Sequence, residues 1–296
     1  IINDTSGPAI QFKMVPNAFG DGIARGFGTN HTNTSSASPD PESSRLAVYT
    51  PNEDPRSPWE ETIIDESYVS VPDQGAGAPG IFGTGDIDGD GLGDFAVTAY
   101  GHDGLDEDGD GFGDRTSAGA VYVFLAADLP EPGATLEAED AHFRLLGENN
   151  LDYAGLSLAA AGDIDGDGKD DLLVGASHND TAGLESGVGY VIFGETMAIS
   201  GQLDLSEADI TFIGAAADDM AATGISSAGD VDGDGKADVI LGAPQHDWFN
   251  PNSGISYLYL GSTLSSDKTT YDLSNYEFDH AFVGDHNEKM GTSVAS

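Results

Sequence analysis

From Asp163 to Asp171 the chain reads D-I-D-G-D-G-K-D-D, with carboxylates at positions 1, 3, 5 and 9: Asp163, Asp165, Asp167 and Asp171. The same spacing stands upstream in Asp86, Asp88, Asp90 and Asp94, and downstream in Asp230, Asp232, Asp234 and Asp238. Carboxylates this crowded repel one another unless a cation sits among them. Hard oxygen donors in that number, on a flexible turn, suit calcium, which takes roughly six to eight oxygens. The two glycines of each run let the backbone fold tightly enough for alternate side chains to converge. An EF-hand is excluded, because its loop needs a glutamate at position 12 followed by a helix. Position 12 here is Val97, Val174 or Leu241, inside an apolar run rich in β-branched residues. The alternative is an acidic, solvated turn without metal; three copies with identical Asp placement favour the metal.

These loops need strands on both sides, and from about Ala78 the chain supplies them periodically. A small-residue strand runs into each loop (P-G-I-F-G-T-G-D, G-L-S-L-A-A-A-G-D, G-I-S-S-A-G-D). A second leaves it (D-F-A-V-T-A-Y, D-L-L-V-G-A-S, D-V-I-L-G-A-P), and a third follows a glycine turn (G-A-V-Y-V-F, G-V-G-Y-V-I-F, G-I-S-Y-L-Y-L). A fourth ends on glycine (H-F-R-L-L-G, T-F-I-G, A-F-V-G). The repeat steps from Asp86 to Asp163 and from Asp163 to Asp230, the first step being the longer. Four short strands in such a unit predict an all-β fold, a β-propeller of four-stranded antiparallel blades, with the calcium loop between first and second strands. A single blade cannot bury both faces, so neighbours must stack.

Unit lengths expose a fourth acidic run. The interval from first motif Asp to third-strand Tyr is the same in Asp163–Tyr190 and Asp230–Tyr257, but longer in Asp86–Tyr122 by the length of one acidic run. The surplus matches D-E-D-G-D-G-F-G-D, with Asp106, Asp108, Asp110 and Asp114 at positions 1, 3, 5 and 9, inserted between second and third strands. It reads as a fourth calcium loop or an unmetallated hairpin tip. The expected units are 78–150, with the extra loop, 151–216 and 217–286. Residues 287–296 would form the first strand of a further or ring-closing blade, and 1–77 a degenerate or partial blade. In that region Ser44–Tyr49 and Glu61–Val71 have strand character, and Asn30–Ser44 reads as a loop.

Composition narrows the function. Over 296 residues, 52 acidic and 10 basic side chains give a formal charge of −42, which argues against nucleic acid and anionic membrane surfaces. The acidity beyond the loops fits a protein kept soluble in high salt. There is no cysteine, and calcium loops fill most readily outside cells. No run of eighteen apolar residues occurs, and the Ile-Ile start does not resemble a signal peptide, so the chain reads as a mature or excised segment. Sequons stand at Asn3, Asn30, Asn33 and Asn179.

Other chemistry is thin. His102, His178 and His246 follow the second strand at nearly the same offset from the first motif Asp, with Asp103, Asp180 and Asp247 close behind. A His–Asp pair in every unit reads as structural more readily than as catalytic, since catalysis needs one asymmetric site. There is no nucleophile elbow, zinc signature or phosphate loop, so no catalytic residue is expected. Trp248 and Phe249 could anchor a ligand from a loop or pack over the neighbouring blade, while Tyr122, Tyr190 and Tyr257 read as packing.

The D-x-D-G-D-G-x-x-D loops, the V-G-A-S and L-G-A-P that follow, and the G-x-x-Y turn-strand resemble the FG-GAP repeats of the integrin alpha-subunit propeller and the bacterial repeats called VCBS, over about 78–296. The name-giving F-G is only partly kept, as Ala154-Gly155, Ala221-Ala222 and Met290-Gly291. The resemblance implies calcium held by the Asp side chains and the position-7 carbonyl, which would be Leu92, Lys169, Lys236 and, in the inserted run, Phe112. It puts the main loops on one face and ligand-binding loops, with the Asp106 run, on the other. It implies an extracellular, secreted or surface-exposed protein for adhesion, protein or glycan recognition, or assembly with itself, without membrane insertion. The alternatives are a non-catalytic domain of a secreted polysaccharide lyase or phospholipase, and a subunit of an extracellular filament.

Overall fold

The computed structural model describes residues 9–15, 25–31, 44–50, 60–65, 82–105, 113–130, 136–248, 250–264 and 268–295; up to residue 84 only the backbone is described. Its strands are β1 (Ala9–Val15), β2 (Arg25–His31), β3 (Ser44–Thr50), β4 (Glu60–Asp65), β5 (Phe82–Gly85), β6 (Asp94–Thr98), β7 (Ala120–Phe124) and β8 (Phe143–Leu146). There follow β9 (Ser157–Gly162), β10 (Asp171–Ala176), β11 (Val188–Ile192), the one-turn helix α1 (Gly194–Met197), β12 (Gly201–Asp204) and β13 (Ile210–Ile213). Last come β14 (Gly224–Gly229), β15 (Asp238–Ala243), β16 (Ile255–Tyr259), β17 (Thr270–Asp272) and β18 (His280–Val283). β1 to β4 make one antiparallel meander, in which β2 runs through Asn30 and His31, where a loop was expected to begin.

The three remaining sheets repeat one plan: first, second, third and fourth strands pair antiparallel in chain order. The expectation of purely four-stranded antiparallel sheets needs correction for two of them. β12 adds in parallel to the outer edge of β8, Gly201 opposite Phe143, and β17 adds in parallel to β13, Thr211 opposite Thr270. Each fifth strand comes from the following repeat, reached through the turn after the third strand. It covers the backbone edge that the fourth strand would otherwise expose. The motif that returns the chain is D-L-S: Asp204 Oδ1 accepts from the Ser206 N–H at 3.0 Å and its hydroxyl at 2.6 Å. Asp272 Oδ1 does the same for Ser274 at 2.9 and 2.6 Å, and each buries the intervening leucine, Leu205 or Leu273. β18 carries no such strand among the described residues, and Phe282 on it is 50% exposed where the equivalent Leu145 and Phe212 are fully buried.

Sheets stack through two apolar layers. Ala96, Val121, Val123 and Leu145 of one sheet meet Leu172, Val174, Tyr190 and Ile192 of the next. The opposite face of that sheet, with Leu173, Val191 and Phe212, meets Val239, Leu241, Tyr257 and Tyr259. A sheet covered on both faces explains why second strands read as continuous apolar runs rather than alternating ones. Close approach depends on glycine at one position. Gly119, Gly187 and Gly254, which open the third strands, have φ of +95°, +79° and +70°. A Cβ there would lie 2.1 to 2.3 Å from the backbone of Ala154, Ala221 or Met290.

Candidate metal centre

The three acidic runs fold into the same loop. Position 5 donates its N–H to the carboxylate of position 3: Asp90 to Asp88 Oδ1 at 3.0 Å, Asp167 to Asp165 Oδ1 at 3.0 Å, Asp234 to Asp232 Oδ1 at 3.1 Å. Position 7 donates to position 5: Leu92 to Asp90 Oδ1 at 2.7 Å, Lys169 to Asp167 Oδ1 at 2.8 Å, Lys236 to Asp234 Oδ1 at 2.8 Å. The glycine at position 6 donates to position 1, to Asp86, Asp163 or Asp230 Oδ2, at 2.9 to 3.0 Å. This winding needs left-handed backbone at positions 4 and 6, where the glycines have φ between +79° and +91°.

The loops gather oxygens without neutralising them. Carboxylate oxygens of Asp86, Asp88 and Asp90 come within 4.8 Å of one another, as do those of Asp163, Asp165 and Asp171, and of Asp230, Asp232 and Asp234. That spread is about twice a calcium–oxygen distance of roughly 2.3–2.6 Å. In the second loop Asp167 is not in the cluster and pairs with Lys169 Nζ at 3.0 Å. In the first loop Asp86 Oδ1 is buried without a hydrogen-bond partner, whereas Asp163 Oδ1 and Asp230 Oδ1 each accept from positions 4 and 5. An orphaned, buried carboxylate oxygen on a residue of the cluster fits a cation ligand.

Position 9 also holds the sheet to the loop. Asp94, Asp171 and Asp238 are almost fully buried at the start of the second strand. One oxygen of each accepts from position 2, Ile87, Ile164 or Val231, at 2.7 to 2.8 Å. The other accepts from the chain just past the third strand, Ala126, Gly194 or Gly261, at 2.8 to 2.9 Å. Burial pushes the Asp94 carboxyl up to about 6 and that of Asp171 up to about 7, so without a cation their ionised forms cost the fold.

The loops also touch one another. The Asp170 N–H donates to the Asp86 carbonyl at 2.8 Å, and the Ala237 N–H to the Asp163 carbonyl at 2.8 Å. Lys236 Nζ reaches the Asp165 carbonyl at 2.8 Å. All three therefore line the same end of neighbouring sheets. Of the inserted run, Asp106, Asp108, Asp110 and Phe112 lie outside the described residues. Its base is closed like a hairpin: the Asp114 N–H donates to the Leu105 carbonyl at 2.9 Å, and the Arg115 N–H to the Asp103 carbonyl at 2.8 Å. It leaves the β6–β7 connection, at the opposite end of the strands from the three stacked loops.

Other candidate residues turn out to brace connections. The position that repeats is His102, Asn179 and His246, each donating its N–H to the carbonyl of an alanine one turn earlier (Ala99, Ala176 or Ala243), and His178 lies next to it in the chain. Asp103, Asp180 and Asp247 accept from the backbone of Ser117, Glu185 and Asn252 at 2.7 to 2.9 Å rather than pairing with the imidazoles. Instead His246 Nδ1 lies 2.7 Å from Asp219 Oδ2, and Asn179 Nδ2 donates to Asp152 at 2.6 Å and Glu148 at 2.9 Å. Asn179 is fully buried with its amide so engaged, which removes its sequon from reach of glycosylation once folded. Trp248 packs against the apolar layer and meets Tyr276 edge-on, 5.4 Å between ring centres; Phe249 lies outside the described residues. Tyr190 and Tyr257 are buried, as packing residues should be.

Comparison with known proteins identifies the repeat. The family model of the FG-GAP repeat matches residues 78–124, 154–192 and 222–259. Phosphatidylinositol-glycan-specific phospholipase D of Bos taurus is 31% identical over 214 residues, covering 67% of this chain and 23% of that protein. Integrin alpha-PS5 of Drosophila melanogaster is 32% identical over 163 residues, 54% of this chain and 14% of the integrin. The chain thus spans less than a quarter of either relative. Rhamnogalacturonan lyase PL11 of Bacillus licheniformis superposes with a TM-score of 0.40 at 15% identity, over 86% of this chain and 48% of the lyase. No helix among the described residues is long and apolar enough to cross a membrane. With its acidic loops inside the matched segments, this all-β chain carries three FG-GAP repeats.

Proposed function

We propose that the chain is a calcium-stabilised β-propeller segment that acts outside the cell as a non-catalytic recognition module, in adhesion or surface assembly. The observation that carries this is the three-fold repetition of one loop, with the bonds from positions 5, 6 and 7 kept in every copy and converging carboxylates at the junction of first and second strands. Asp86, Asp88, Asp90 and Asp94, then Asp163, Asp165, Asp167 and Asp171, then Asp230, Asp232, Asp234 and Asp238 would hold the ions, with the carbonyls of Leu92, Lys169 and Lys236. Calcium supplies charge neutralisation there and fixes the hairpin between the two strands. The Asp106–Asp114 run would hold a fourth ion at the other end. Ligand recognition falls to that end, where connections between second and third strands vary in length and a protein or glycan would meet them. Thermal unfolding with and without a chelator tests the metal: removing saturating calcium should lower the melting temperature by about ten degrees or more. An unchanged melting temperature after complete removal overturns the reading.

The phospholipase D relative favours a second reading, in which the same module accompanies the catalytic domain of a secreted enzyme. Binding of the isolated chain to protein or glycan arrays supports the first reading. Measurable binding only when a catalytic domain is attached supports the second.

A further inference from the structure

Position 8 of the acidic runs holds Gly93, Asp170 and Ala237, and the ligand chemistry makes no use of it. Its backbone nevertheless points out of its own loop and into the preceding one. The Asp170 N–H donates to the carbonyl of Asp86, and the Ala237 N–H to that of Asp163, both at 2.8 Å. Asp170 closes its link a second time, with Oδ2 accepting from the Asp86 N–H at 2.9 Å. The fit is tight: a Cβ on Gly85 would stand 2.7 Å from that oxygen. In the third loop the methyl group of Ala237 cannot close a second bond, and the ammonium of Lys236 bridges to the Asp165 carbonyl instead.

Position 8 lies between the carbonyl of position 7 and the carboxylate of position 9, while position 1 of the preceding loop is that loop's first ligand. A loop whose positions 7 to 9 are held therefore presents a fixed grip to the first ligand of its neighbour. We propose that the three acidic loops bind calcium as a coupled series, and that Asp170 is the positioning residue that couples the first loop to the second. This rests on the calcium reading above. Filling either loop orders the shared Asp86–Asp170 link, so the second ion enters a loop whose ordering is already complete, and the effect is reciprocal. Repulsion between neighbouring cations opposes the coupling, but Asp90 and Asp232 at the loop tips are exposed, and water screens them.

Calorimetric titration of calcium into the calcium-depleted full chain tests the proposal, in an Asp108→Ala background that silences the inserted run. Emptying the first loop with Asp88→Ala should weaken calcium binding at the second about fivefold or more. Combined with Asp170→Ala, which keeps the backbone link and removes only the bond from the Asp86 N–H, the same Asp88→Ala change should weaken the second loop's affinity clearly less. Asp170→Asn, whose amide oxygen still accepts from the Asp86 N–H, should restore the coupling, and melting in saturating calcium shows that each variant folds. A second-loop affinity that ignores Asp88→Ala in the otherwise native chain overturns the coupling and leaves the calcium reading intact. No binding heat at any loop overturns both.

Discussion

Asp171 shows how one side chain can serve two ends that conflict. It accepts two buried backbone hydrogen bonds, yet its ionised form is costly where it sits, and its carboxyl is pushed up to about 7. A carboxyl with a raised folded pKa binds more protons folded than unfolded. The calcium-free protein should therefore gain stability as pH falls from about 7 towards 4, Asp94 adding to this below about 6. Calcium bound as proposed should reverse the sign, because it would bind the ionised form and protons would compete with it. Thermal melts across this range, with chelator and with calcium, should give opposite slopes; parallel slopes would contradict the role given to position 9. Of the residues that matter here, the four-Asp spacing was open to reading in the chain alone. Asp170 was not, since position 8 tolerates Gly, Asp or Ala and its partner is 84 residues away. Stepping the Asp86-to-His102 interval from Asp163 would have reached Asn179 instead of His178, but its partners Glu148 and Asp152 emerge only from folding.

At the level of elements, the third strands can approach the next repeat only because a glycine opens each of them. Gly187 combines a φ of +79° with backbone of Ala221 in the space a Cβ would fill. Gly187→Ala should cost about 2 kcal/mol or more in urea unfolding, from left-handed backbone strain and the clash together. Gly168→Ala, at +91° with open space around it, should cost only the strain, about 1 kcal/mol. The glycine turns were visible in the sequence as punctuation, but the reason for them, the neighbouring backbone, was not. Likewise the D-L-S segments at 204–206 and 272–274 mark the returns from β12 and β17, strands of four and three residues too short for periodicity to reveal.

Across the whole molecule, a formal charge of −42 opposes compaction. In the chelated protein, raising salt from about 0.1 M to about 1 M shortens the screening length from roughly 10 to 3 Å and should raise the melting temperature by several degrees. With calcium bound the same change should matter less, because the densest carboxylates are already compensated. A scan of melting temperature against sodium chloride in both states checks this. The fourth sheet is the place where stacking stops among the described residues. Phe282 stays half exposed there because no parallel strand and no further apolar layer covers β18.

What the chain determined by itself is local: the acidic loop, the glycine turns, the order of first to fourth strands and the repeat. Each depends on residues close together in the chain, which spacing and periodicity report directly. The tertiary structure alone decided what joins one repeat to the next. The parallel fifth strands, the glycine contacts between sheets and the grip of Asp170 on Asp86 all pair residues dozens of positions apart. Their partners are chosen by stacking geometry, to which no spacing within one repeat is a guide.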